Sequence, residues 1–442
     1  MIWVSVWFNS IKMERGHMSE EKLKKALRYR WLIFWILAVS YIMVYFHRLC
    51  PAVVAEDMRR DLATGGGLLG LLGSAYFYPY ALMQLPAGLL SDSWGPRKTI
   101  TLFFCVAFAG SVILGIAPNV YAAIVGRTLV GLGVAMLFAP TLKVLAEWFR
   151  VKEFAMMTGI LMAMGGIGSY TAATPLAYIS NWIGWRQSFV LVGILTLGLG
   201  ALVWAFVRDR PADMGWPSPS DSSGPAVESV RLMQGVKMVL TLPRFWSLAC
   251  WFFFSYAIFF SFIGLWGGPF LIQVYALSKT KAGHILSMSA IGMIVGSPIL
   301  SYVSNNIFKA RKPVLILSSI STLIITGMLY IFTQSIPIPL LYLLCLGIGI
   351  FLGAVTTIGF TTNKELFPVS IAGTATGLVN IFPFLGGAIF QIILGAVLDS
   401  QGLTASGGFS LQGFKYSFLV LFLCGLVACI FSFLIKETLK TR

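Results

Sequence analysis

Two arginines, Arg48 and Arg127, lie inside long apolar runs of this 442-residue chain, where a guanidinium is costly unless it meets water, a partner or a ligand. Arg48 stands 17 residues after Trp31, where its run begins. A helix rising ~1.5 Å per residue carries it ~25 Å inward. Arg127 is six residues into another run, entered from the opposite side, and so lies at a similar depth. No carboxylate in the sequence matches that depth, since Glu56 and Asp57 come two turns or more beyond Arg48. Two guanidinium groups without a partner suggest one shared anion, most simply a carboxylate gripped bidentately. Two other readings stand beside it: Arg48 can snorkel to the headgroups, and Arg127 can bond backbone carbonyls.

Polar groups near these arginines extend the pattern. Tyr41, Tyr45 and Arg48 follow at spacings of four and three, and Tyr76, Tyr80 and Gln84 make a second stripe at spacings of four. Such stripes are cavity walls or helix packing. His47, beside Arg48, is the candidate for proton coupling because imidazole titrates near neutral pH; a hydrogen-bonded structural histidine is the alternative. In the second half of the chain the polar groups are neutral: Trp251, Tyr256, Trp266, Thr356, Thr357, Gln391 and, as the strongest substrate candidate, Asn380. Lys143 and Glu147, at i and i+4, can pair locally, or Lys143 can snorkel or add a third cation to the site.

The elements that must carry these residues are membrane helices. Apolar residues make up 57% of the chain and charged residues 11%. They group into twelve runs of about 20 residues, long enough as helices to cross a hydrocarbon core ~30 Å thick. The expected architecture is an all-α integral membrane protein of twelve helices in two pseudo-symmetric six-helix bundles. A tail (1–30) precedes a first bundle (31–208), a linker (209–243) and a second bundle (244–436), and a short tail (437–442) follows. Residues 19–30 suit either a helix on the membrane surface or a solvated tail.

Charge sets the orientation. With both termini inside, 23 of the 32 Lys and Arg face the cytoplasm, three lie within helices and six face out. A bacterial inner (plasma) membrane with both termini cytoplasmic is the expected location. The net charge of +16 is then explained by anionic lipid headgroups, without nucleic acid. Six scattered cysteines, three histidines and no HExxH-like spacing give no metal site, and no GxxxxGK[ST] loop cradles a nucleotide. No cofactor is expected. An enzyme would need an acid-base or nucleophile set near the membrane, and only His47 is available.

Glu147 to Ile160, EWFRVKEFAMMTGI, returns as Glu365 to Leu378, ELFPVSIAGTATGL. GWRQSF and GFKYSF follow the two copies in the same order, at Gly184 and Gly413. The halves are therefore internally related, as transporter halves facing one substrate path often are. Arg311 and Glu365 in the second half answer to Arg97 and Glu147 in the first. Asp92 answers to Asn305, and Arg127 to Cys345.

Between the second and third runs stands GLLSDSWGPRK, in which Gly88, Leu90, Asp92, Gly95, Arg97 and Lys98 resemble the signature loop of the major facilitator superfamily; Ser93 replaces the usual Arg. GRTLVGLG, with Arg127, Gly131 and Gly133, resembles its fourth-helix motif, and FHRLCPAVV around Arg48 resembles its anion/cation symporters. A remote likeness to lysosomal dipeptide carriers is also noted. The resemblance implies alternating access by two bundles around a central small-molecule site. It also implies a gate in which Asp92 accepts hydrogen bonds from a helix N-terminus of the other half and Arg97 pairs with Glu147, mirrored by Arg311 and Glu365. The symporters carry an acid where His47 stands and a Glu where Val134 stands. Both departures weaken the usual carboxylate route for a co-transported proton.

The expected function is a monomeric secondary transporter of a small carboxylate-bearing solute: an organic anion, amino acid or short peptide. A transporter-fold sensor without transport and an exporter of amphipathic compounds are the alternatives.

Overall fold

Among the described residues of the computed structural model, ten helices are long and apolar enough to cross a bilayer. Its description covers residues 2–218, 232–368, 371–405 and 407–439, so the middle of the 209–243 linker and the end of the 437–442 tail lie outside the described residues. Two features turn ten into twelve. The helix Val151–Phe206 holds 56 residues and is interrupted at Gly184, whose φ of 81° is left-handed, so it is two spans joined by a tight turn. Residues 66–94 form one further span broken into Gly66–Ser74, Phe77–Leu82 and Gln84–Trp94.

We number the spans α1 (Glu20–Leu49), α2 (66–94), α3 (Pro96–Gly115), α4 (Val120–Trp148), α5 (151–183), α6 (185–206), α7 (Pro243–Gln273), α8 (Lys279–Ile307), α9 (Lys312–Ile331), α10 (Ile338–Leu366), α11 (Ala372–Ser400) and α12 (Leu411–Leu434). An even number places both chain ends on one face, here the termini face; the opposite one is the far face. Side-chain caps start α4 and α12, both entered from the far face: Asn119 accepts the Ala122 N–H at 3.0 Å and Ser410 accepts that of Gly413 at 3.0 Å. Pro96 and Pro243 occupy the first helical position of α3 and α7, where no N–H is needed.

The stretch before Trp31 differs from both expectations for it. It is continuous with α1, in a helix running Ile2–Leu49. Arg30 anchors it, donating to both carboxylate oxygens of Glu153 at 2.8 and 3.1 Å while its Cζ lies 4.8 Å from the Phe149 ring centroid. A partly buried, bidentate pair holds these turns against the bundle.

The two halves meet along two helix pairs, α2 with α11 and α5 with α8. Small residues permit that approach where lipid supplies no hydrophobic drive between helices. Within the first half the same device joins α4 to α2: a Cβ at Gly131 would stand 2.2 Å from the Tyr76 carbonyl oxygen. Gly131→Ala should therefore cost about 1–3 kcal/mol of stability. A thermal-unfolding scan in detergent checks this, and an unchanged midpoint would refute the close packing.

Candidate functional site

Arg48 sits at the seam between the halves and is 5% exposed. Its Cζ lies 4.4 Å from the ring centroid of Tyr45 on α1 and 4.8 Å from that of Tyr80 on α2. From the other half, Phe384 on α11 approaches to 4.9 Å and Phe260 on α7 to 5.9 Å. Rings from both bundles thus cage one cation, each face contributing about 0.5–2 kcal/mol of attraction. The Arg48 Nε is buried without a hydrogen-bond partner, and no ion pair among the described residues includes Arg48. Its charge is softened by π-faces, and no carboxylate among the described residues neutralises it.

Arg127 is arranged differently. It is 1% exposed, with Nη2 3.5 Å from the Arg48 carbonyl oxygen and Nη1 3.7 Å from the Cys50 sulfur. Its Cζ lies over the Tyr76 ring at 4.9 Å. The structure does not bring the two guanidinium groups onto one ligand, because α1's backbone and Tyr76 hold Arg127 behind Arg48. Of the two readings of Arg127, the carbonyl bond is the one formed.

His47 is fully buried, its Nε2 3.2 Å from the Thr196 hydroxyl. That hydroxyl already donates to the Val192 carbonyl at 2.8 Å, so it accepts from His47. The proton of a neutral His47 therefore sits on Nε2, leaving Nδ1 bare and unpartnered.

The tyrosine stripes divide between site and packing. Tyr45 and Tyr80 wall the cage, whereas Tyr76 is fully buried and donates its hydroxyl to the Val44 carbonyl at 3.1 Å. Tyr41 is 3% exposed and packs edge-on to Tyr45, with centroids 5.6 Å apart. Gln84 and Asn380 meet across the seam, the Asn380 amide donating to the Gln84 carbonyl oxygen at 2.6 Å. Each stands at a break in its helix, after Phe77–Leu82 in α2 and between Ala372–Val379 and Ile381–Ser400 in α11. Tyr256 bonds Thr356. Trp251 and Trp266 are not walls of the site: they bond Ser319 and the Gln391 carbonyl at 2.8 and 3.0 Å inside their own half.

The charged loop on the termini face departs from the expected gate. Arg97 does not pair with Glu147; its guanidinium bonds the Trp204 carbonyl and lies 4.3 Å from the Trp204 ring centroid. Glu147 faces Arg210 at 3.8 Å instead. Asp92 pairs with Lys143 of its own half at 2.6 Å, so Lys143 is neither paired with Glu147 nor free for a ligand. Gly88 has open space about it. In the second half Arg311 does meet Glu365, at 3.0 Å, and also bonds Asn305 at 2.5 Å. Among the described residues every ion pair on this face joins groups of one half. On the far face the halves are tied together, by Lys279 with Asp57 and by Gln273 with Glu56. The molecule is closed on the far face.

Two acids that sequence reasoning missed hold the loops after α2 and α8. Asp209, just past α6, accepts the Arg97 N–H at 2.7 Å and presses on Gly95, where the left-handed φ of 87° already demands glycine. Glu437, just past α12, accepts the N–H groups of Arg311 and Lys312, both at 2.9 Å. The signal was present as the first acid after the last apolar run of each half. Phe260 and Phe384 were also missed, since each is written within an unbroken apolar run.

Twelve spans in two halves, with a buried cation caged at their seam, define a polytopic membrane protein whose site is shared by both bundles. The sequence pattern of the Major Facilitator Superfamily matches residues 33–391 and 268–442, and the chain belongs to that superfamily. It is 25% identical over 427 residues to a probable hexose phosphate transport protein of Chlamydia pneumoniae, covering 90% of this chain and 92% of the relative. It is 23% identical over 399 residues to the hexuronate transporter of Escherichia coli (strain K12), covering 86% and 90%. Among solved structures, a bacterial homolog of the human lysosomal transporter Spinster, in an inward-facing and unoccupied conformation, superposes with a TM-score of 0.75 at 18% identity. That likeness covers 92% of this chain and 97% of the other, and it shows the shared fold.

Burial would raise the Glu437 carboxyl, but the N–H groups of Arg311, Leu439, Lys312 and Thr438 outweigh it and hold it below the usual carboxylate range. A group depressed in the folded state stabilises above its unfolded pKa and loses that contribution as pH falls through the folded value. Glu437→Gln should therefore unfold at a lower temperature than the wild type at pH 7. The gap should close as pH drops below about 4. A gap independent of pH would show that the carboxylate charge is not what caps α9.

Proposed function

We propose that this protein is a secondary transporter that carries a small organic anion bearing one carboxylate, by alternating access of the two bundles. The observation that supports it is Arg48. A buried guanidinium with no anion of its own, reached by rings of both halves, suits a ligand carboxylate that completes it. Arg127 and Lys143 are already engaged, so the seam offers one unneutralised cation. One positive charge matches a monoanionic carboxylate better than a doubly charged phosphate ester. Tyr256, Gln84 and Asn380 offer hydroxyl and amide groups near the rings, a surface suited to the hydroxyls and C–H faces of a sugar acid. The hexuronate transporter among the relatives agrees with that class, and the hexose phosphate relative supplies the competing ligand for a test. The basic residues gathered on the termini face support a cytoplasmic orientation for it.

Coupling rests on His47 or on no protein-borne proton at all. The bond to Thr196, the absence of a carboxylate partner and the neighbouring Arg127 favour a structural histidine.

Uptake by proteoliposomes of uronates, other monocarboxylates, amino acids, dipeptides and hexose phosphates tests the reading. Arg48→Ala should reduce uptake of the preferred anion by about 10- to 100-fold, the loss of a charge-assisted hydrogen-bonded pair. Undiminished carboxylate uptake by that variant would exclude the site. His47→Gln should keep anion exchange and any accumulation driven by a pH gradient. If exchange persists while that accumulation disappears, His47 is the proton carrier.

A further inference from the structure

We infer that Asp399 is the latch of the far face, a carboxylate at the end of α11 that caps the start of α2 and is released whenever the halves part on that side. The inference rests on the alternating-access reading above. Asp399 Oδ1 accepts the Gly66 N–H at 2.6 Å and Oδ2 accepts the Gly67 N–H at 2.8 Å. These are first-turn donors of a helix, with no partner inside it, and they carry the positive end of its dipole.

The approach that makes the bond possible is backbone against backbone. A Cβ at Gly66 would stand 2.6 Å from the Gly395 carbonyl oxygen, and one at Gly395 would stand 2.1 Å from that of Gly66. One turn further, a Cβ at Gly70 would stand 2.4 Å from the Gln391 carbonyl oxygen. Only side chains of hydrogen let α11 bring a carboxylate onto two consecutive amides.

Other cross-half contacts on this face tie different elements: the Asn181 amide of α5 donates to the Thr280 hydroxyl of α8 at 3.1 Å, and a further set gathers on one short helix. Lys279 with Asp57, Gln273 with Glu56, and Arg59 with the Gly407 carbonyl at 2.7 Å all engage the short helix Pro51–Asp61. Asp399 acts on the helix pair that also holds the central site. Below it on α11 lies Phe384, 4.4 Å from the Tyr80 ring of α2 and against Arg48. Below that lies Asn380, bonded to Gln84. The stretch from Asp399 down to Phe384 is one uninterrupted helix, Ile381–Ser400, so α11 cannot leave Gly66 as a rigid rod without disturbing the ring contact over Arg48. Asp399 is thus a positioning residue for the cage as well as the far-face closure.

The test is a distance across the far face, in the full chain in lipid nanodiscs with the native cysteines replaced. Spin labels are placed through Tyr121→Cys and Gln334→Cys, at exposed positions of the two halves. Pulsed electron paramagnetic resonance then reads the closed and open populations without any substrate. Asp399→Asn, which keeps the shape and removes the charge, should raise the long-distance population about fivefold relative to the parent. Gly67→Pro, in the first helical turn, deletes one of the two donors and puts the ring Cδ where the N–H faced Asp399. It should shift the distances in the same direction. Distances unchanged in both variants, whatever happens to thermal stability, would overturn the latch. Because no substrate is needed, normal uptake by Arg48→Ala would defeat the anion-site reading and leave the latch result standing.

Discussion

The structure turns on one uncompensated charge. Arg48 lies where two apolar bundles meet, and no carboxylate among the described residues pairs with it. Moving an ion out of water costs several kcal/mol even after relaxation, and cation–π contacts return only part of that. The remainder is a standing preference for an anion. A ligand that brings a carboxylate satisfies Arg48, and to do so it must intrude among rings that belong to both halves. On the proposed reading, that shared wall is what would couple binding to the relative position of the bundles.

The surrounding construction offers a mechanical route for such coupling. The seam between α2 and α11 joins Asp399 to Gly66 and Gly67 at one level, Phe384 to Tyr80 and Arg48 at the next, and Asn380 to Gln84 at the third. On the termini face, by contrast, the charged groups satisfy one another within each half: Asp92 with Lys143, Arg311 with Glu365, and the α3 and α9 starts with Asp209 and Glu437. Each bundle therefore keeps its own charged loops in order, and among the described residues no ion pair joins the two bundles on that side. The two acids past α6 and α12 are symmetric in role although their neighbours are not, which is the repeat expressed as chemistry.

Much of this was legible in the sequence, for physical reasons. Run length and charge placement gave twelve spans, because lipid admits few other solutions for a chain so apolar. The buried cations were visible as Arg48 and Arg127 because charge within an apolar run is conspicuous. Their separation into a caged group and a structural one was not, since it depends on which way a long side chain bends. The pairing of Arg97 with Glu147 follows from the gate that the signature loop suggests; in space the Trp204 carbonyl and Asp209 are its partners. Phe260 and Phe384 were hidden for the opposite reason, being apolar residues among apolar residues. A ring facing a cation and a ring facing lipid are written with the same letter.

The most direct measurement is the structure of the chain with its anionic substrate bound, determined by cryo-electron microscopy in a lipid environment. The account predicts a ligand carboxylate within about 3 Å of the Arg48 guanidinium, with the Phe384 ring displaced from its place over Arg48. A substrate bound elsewhere while the four rings still enclose Arg48 would contradict it.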